Sequence, residues 1–120
     1  FKFDRKDIRR GLDLAGGIKG FGVGGASGLL SLLFPEQFGT VDQFVVKALQ
    51  KIRTFPEGEI SSREIQALRR MNPKNLSKSD GIILIGIMRR KADNLNSIFG
   101  SRFWTPRKID MILWALGHDK

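Results

Sequence analysis

Apolar residues along this chain recur every three or four positions and alternating strand patterns are nearly absent, so the pattern predicts an all-α domain of about six helices. The first, about Lys6 to Ile18, puts Ile8, Leu12 and Ala15 on one face and stops near Gly16-Gly17. A glycine run from Gly20 to Gly25 then breaks the chain. The second helix ends before Pro35. The third opens on a capping box, Thr40-Val41-Asp42-Gln43, and turns Val41, Phe44, Val45, Ala48, Leu49 and Ile52 inward.

After the Pro56-Glu57-Gly58 turn, Ser61 with Glu64 caps a fourth helix whose buried stripe is Ile65, Leu68 and Met71, and Asn72-Pro73 closes it. Ser77 with Asp80 caps the fifth. That helix is apolar almost all round through Ile82, Ile83, Leu84, Ile85, Ile87 and Met88, which makes it central, and Arg89-Arg90-Lys91 lies toward its later turns. Thr105-Pro106 starts a sixth helix, and Ile109, Ile112, Leu113 and Leu116 lead to Gly117 at its C-terminal cap. No repeat, low-complexity tract or linker divides the chain, so residues 1–120 are expected to form one domain.

Composition narrows the class. The 120 residues are 41% hydrophobic, enough for one core, and 21 Lys+Arg against 12 Asp+Glu leave a net charge of +9. A pI near 10.5 is the electrostatic footprint of a nucleic-acid binder, although anionic membranes and acidic partners would suit it too. Cysteine is absent, which excludes disulfides, thiolate zinc and iron–sulfur ligation. The one histidine, His118, has no Cys or second His to share a metal. Neither a metal nor a cofactor is expected.

The most apolar stretch, Gly20 to Phe34, is shorter than the ~20 residues a bilayer needs and is full of glycine, so no membrane span is expected. The chain opens on Phe1 without a signal-peptide pattern, which suggests a fragment or a processed product of an intracellular protein, cytoplasmic/nucleoid or nuclear.

Gly20, Gly22 and Gly25 satisfy G-x-G-x-x-G, but no predicted strand precedes them and the Walker sequence is missing, so a dinucleotide site is not expected. The same residues fit a helix, a short turn Gly22-Val23-Gly24, and a second helix with small residues at Ser27 and Gly28. This looks like a helix-hairpin-helix motif spanning about residues 8–34. Such a turn exposes consecutive backbone N–H groups at a helix N-terminus, where the macrodipole also favours an anion, and Val23 would plug between the helices. Contacts of that kind hold DNA backbone phosphates without reading sequence, and are steeply salt-dependent. Lys19, Gly20, Gly22, Val23, Gly24, Gly25 and Ser27 are the candidate contacts, with Lys47 next.

Twenty residues after Gly22 comes Val41-Asp42-Gln43-Phe44-Val45. A G-V-G hairpin followed at about this distance by V-D-x-x-V resembles the helix-hairpin-helix base-excision DNA glycosylases, over roughly Ile18 to Ala48 and more loosely the later helices. The resemblance implies that Asp42 matches the catalytic aspartate at the mouth of the base pocket, activating water or stabilising positive charge on the sugar as the base leaves. Members that also cleave the strand carry a lysine four residues after the first glycine of the turn. Ala26 stands there, so the resemblance implies a monofunctional glycosylase or a member that binds without catalysis. In that family several helices precede the hairpin, whereas one does here, so an upstream segment or a partner chain is expected to complete the pocket.

Three simpler readings remain. Asp42 would stabilise a helix dipole from the first turn without any further role. Phe103-Trp104-Thr105-Pro106-Arg107-Lys108 joins aromatics to cations, as a stacking site would, but an aromatic pair before a helix is more often a hydrophobic staple; Trp114 is expected in the core. From another functional class, a noncatalytic hairpin module of a larger complex, or a basic helical protein-interaction or membrane-surface domain, would share this composition.

Overall fold

The computed structural model describes residues 3–17, 22–56 and 58–118, and these fold into six helices: α1 (Ile8–Gly16), α2 (Val23–Leu33), α3 (Gln43–Lys51), α4 (Ser62–Arg70), α5 (Lys78–Phe99) and α6 (Pro106–His118). No strand occurs among the described residues. The all-α expectation and the number of helices hold. Two candidate contacts, Lys19 and Gly20, lie outside the described residues.

The 22-residue α5 runs through the middle, packing on α1, α2, α4 and α6 and burying Leu84, Ile85, Ile87, Met88 and Ala92. Each such side chain removed from water stabilises the fold by about 1.5–3 kcal/mol. Around this axis α1 pairs with α2 and α3 pairs with α6. The α1–α2 pair meets α5 where Val23 enters a notch at Gly81, because a Cβ on Gly81 would lie 2.6 Å from Val23 Cγ2. Val23 therefore joins α2 to the central helix, and the Leu12 side chain of α1 comes within 3.4 Å of the same notch.

The capping boxes at Ser61/Glu64 and Ser77/Asp80 form as the sequence predicts. The one at Thr40/Gln43 does not. Here α3 begins at Gln43 and its cap is Asp42, whose Oδ1 accepts the N–H groups of Phe44 at 2.9 Å and Val45 at 3.0 Å. Aspartate ranks with the strongest caps, and Thr40 is drawn instead into contacts with α2 and α6 described below.

Three further expectations change. Helix α5 continues to Phe99 and ends on Gly100 in the left-handed conformation (φ 59°), so Arg89 lies in its middle. Arg89 folds back to donate to the carbonyls of Gln37, Lys6 and Arg5, tying the segment before α1 to α5. Gly117 is a residue of α6 rather than its cap. Trp114 is 43% exposed, not core, while Trp104 packs on the core as a staple would.

A charged clamp joins α4 to α5: the Arg90 guanidinium grips both carboxylate oxygens of Glu64, whose Oε1 also accepts Ser61 N–H. The Arg90 hydrogen bonds hold the Glu64 carboxyl at about 2, well below its ordinary 4.5. A carboxyl with a depressed folded value contributes stability that is present above pH 4.5 and lost as pH falls toward 2. Glu64→Gln keeps the capping acceptor but loses the charge. Thermal melts should therefore converge for the two proteins at about pH 2–3 and separate, with wild type higher, by pH 6.

Candidate functional site

Gly22, extended at φ −86° and ψ −168°, is the cap residue of α2 and has no side chain to offer the helix. The first intrahelical bond runs from Ala26 N–H to Gly22 carbonyl at 2.9 Å. That leaves the N–H groups of Val23, Gly24 and Gly25, which helix geometry strands, without an acceptor among the described residues. Gly22 and Gly25 are exposed. The sequence places these glycines in the turn itself; the structure moves Val23, Gly24 and Gly25 into the first turn of α2.

A shallow cavity of about 420 Å³ lies beside this corner, lined by Gly16 and Gly17 of the α1 end, Gly22, Val23 and Ala26 of α2, and Asp13 and Lys78 at its rim. Asp13 is paired with Lys78 at 2.5 Å, and that hydrogen bond holds its carboxyl below the usual range. Among the described residues lining this corner the one acid is Asp13, and Lys78 pairs with it.

Ser27 corrects the expectation of a surface contact. It is fully buried, donates to Gly24 carbonyl at 3.0 Å and accepts Val41 N–H at 3.0 Å, so its hydroxyl is spent on the fold. Through this bond residues 40–42 are laid along α2. A Cβ at Gly24 would meet the Val41 carbonyl at 3.5 Å, an ordinary contact distance. Ala26, early in α2, is 1% exposed. Lys47 sits on α3 with its ammonium 3.4 Å from Gln43 Oε1 and 5.7 Å from the Phe44 ring centroid.

Asp42 thus arrives at the head of α3 and at the edge of a second, larger cavity of about 510 Å³ between α2 and α6. Gly28, Ser31 and Leu32 line one wall; Arg107, Asp110, Met111 and Trp114 of α6 line the other. Gly28 follows Gly24 by four residues, so the first-turn amides of α2 and the Asp42 groove are about 6 Å apart along α2. While Oδ1 of Asp42 caps α3, no partner is placed on its Oδ2 among the described residues. The residue thus caps α3 and lines the groove together.

Beneath it runs a polar network that the sequence did not single out. Ser31 hydroxyl meets Thr40 Oγ1 at 2.9 Å, Thr40 N–H donates to Asp110 Oδ2 at 2.5 Å, and Arg107 donates to Asp110 Oδ1 at 2.9 Å and to Thr40 Oγ1 at 3.3 Å. Burial raises the Asp110 carboxyl above its ordinary value; the Thr40 amide and the Arg107 charge oppose that, and the Asp42 charge adds to it. The signal was present but quiet: Pro106, Asp110, Leu113 and Gly117 form one helical stripe, and an acid within an otherwise nonpolar stripe marks a buried, partnered carboxylate.

No group of three metal-ligating side chains occurs among the described residues, and none of the described helices is long and apolar enough to cross a membrane. Comparison with protein-family models, with curated proteins and with solved structures gave no match.

Proposed function

We propose that this chain is a helix-hairpin-helix DNA-binding domain of base-excision-glycosylase type, which holds backbone phosphate at the α1–α2 corner and presents Asp42 to a base or sugar in the neighbouring groove. The observation that carries this reading is the first turn of α2, whose Val23, Gly24 and Gly25 amides have no acceptor among the described residues, in a domain of net charge +9. Phosphate is the anion that such a corner suits, because the stranded N–H groups and the helix dipole act on it together. Grip of this kind is indifferent to sequence.

Asp42 supplies the chemistry. Its Oδ1 is fixed by two amides while the residue lines the groove, and a carboxylate there would stabilise positive charge growing on a deoxyribose as its base departs, or orient a water. A covalent route through an amine has no residue at the expected place, because Ala26 occupies it. The groove is open along Leu32, Met111 and Trp114, which are 75%, 55% and 43% exposed. Enclosing an extruded base would fall to a further segment or partner chain covering these side chains.

Duplex binding followed by anisotropy across a salt series tests the grip: a log-log slope of about −3 or steeper is expected, and a slope near zero removes the DNA reading. Incubating the protein and Asp42→Asn with oligonucleotides carrying damaged bases tests the chemistry. Asparagine preserves the cap, so loss of abasic product in the variant alone is expected. Binding with no product from either protein would leave a noncatalytic hairpin module.

A further inference from the structure

We propose that a third cavity, walled by α3, α5, α6 and the segment between α3 and α4, binds a small neutral molecule: one aromatic ring or compact branched hydrocarbon bearing a single O–H or N–H group, with Glu59 as the acceptor. No described residue lines both this cavity and the Asp42 groove or the α1–α2 corner, so the site stands apart from the DNA reading.

Its size and walls fix the body of the ligand. The cavity holds about 200 Å³, and Leu49 of α3, Ile87 of α5 and Ile109 and Leu113 of α6, which line it, are all buried core residues. The segment between α3 and α4 supplies the rest of the apolar lining, and there Ile52 and Pro56 are exposed, so entry from solvent lies on that side. A dry apolar cavity of about 150 Å³ takes a benzene ring. This one is large enough for a ring with one small substituent.

Glu59 fixes the polar end. Its side chain is only 7% exposed, yet it lines this mostly hydrocarbon space. Oε2 accepts Asn94 Nδ2 at 3.2 Å and stands 3.7 Å from the Lys91 ammonium, while no donor is placed on Oε1 among the described residues. A buried carboxylate gains from every hydrogen bond that replaces lost water, and a ligand O–H or N–H would supply one. Charge then selects among donors. Lys91 already pairs with Glu59, and Arg90 donates to the Glu59 carbonyl at 3.1 Å while gripping Glu64. A cationic ligand would join two cations already present, and an anion would face the carboxylate. A neutral donor meets neither obstacle.

Methyl proton–carbon NMR spectra of the whole chain, titrated with phenol, toluene and benzylamine, read the site through Ile87, Ile109 and Leu113. A bare apolar void ranks toluene above phenol, because the phenol hydroxyl has to leave water. The reverse order is expected here, with phenol about fivefold or more tighter, since a hydrogen bond to a carboxylate outweighs that cost. Glu59→Gln keeps an acceptor without the charge, and should weaken phenol while leaving toluene within about twofold of wild type. Toluene binding as tightly as phenol, benzylamine binding tightest of the three, or no ligand moving these methyls would each overturn the proposal. If Glu59→Gln does not fold, the order of the three ligands on wild type decides. Nucleic acid enters none of these measurements, so failure of the hairpin reading and failure of this one are separate results.

Discussion

Gly22→Asp is expected to leave the protein as stable as wild type or slightly more so, and to weaken its binding to duplex DNA at least tenfold. The backbone at Gly22 already has the extended conformation of a cap residue, with φ −86° rather than a value only glycine prefers, and a Cβ added there meets nothing within 4 Å. An aspartate would fold back and accept the amides of Gly24 or Gly25, supplying the cap that α2 lacks. Relative to glycine the cap adds a few tenths of a kcal/mol, and the negative charge at the positive end of the dipole about 0.3–1 kcal/mol more. The same carboxylate would fill the place proposed for the phosphate and repel its neighbours, and tenfold weaker binding corresponds to about 1.4 kcal/mol. Thermal melting and anisotropy on one sample measure both effects. If stability rises while affinity is unchanged, those amides do not hold the nucleic acid and the proposed grip is wrong.

Gly22→Asn sharpens the comparison, since asparagine caps as well as aspartate without the charge. It should fall between wild type and Gly22→Asp in affinity: the amides are occupied in both variants, but only one of them repels phosphate.

The helices and their order were legible because each carries its own punctuation. Ser61 and Ser77 sit three residues before an acid, Pro35 and Asn72-Pro73 stop what precedes them, and α5 is apolar on nearly every side. Where two local signals competed, tertiary contacts decided. Thr40 has the residue type and spacing of a cap, yet Asp42 two positions later takes that place because Thr40 is held by Ser31, Asp110 and Arg107, residues 9, 70 and 67 positions away. Sequence spacing carries no account of partners that remote. Ser27 escaped for the same reason: a serine one turn into a helix reads as a surface donor until Val41 is seen lying on it. The groove itself depends on α2 and α6 facing each other across the head of α3, so Asp42 was visible through its motif while Asp110, in a stripe of ordinary appearance, was not.

Gly117→Ala should lower the thermal midpoint by roughly 10 °C, equivalent to a loss of about 2–3 kcal/mol, although alanine is the better helix former. Gly117 lies in the last turns of α6 against the start of α3, and a Cβ there would overlap the Phe44 carbonyl oxygen and stand 2.6 Å from its carbon. Both obstacles are backbone, so no rotamer change relieves them and the helices must separate. The aromatic cluster astride this point, with Trp114 stacked on His118 at 4.7 Å and edge-on to Phe44 at 5.6 Å, would open with them. Phe44 N–H also holds Asp42 Oδ1, so the displaced backbone would turn the groove carboxylate away as well. Gly16→Ala is the matched control: that glycine ends α1 with open space around its Cβ direction, and the same substitution there should be neutral or stabilising by up to about 0.5–1 kcal/mol. Opposite signs from one substitution in two helices would locate the constraint in the α3–α6 contact. A Gly117→Ala protein melting with wild type, its tryptophan emission unchanged, would mean that α6 does not pack on Phe44 in solution and that the wall carrying Asp110 and Arg107 is not where the groove requires it.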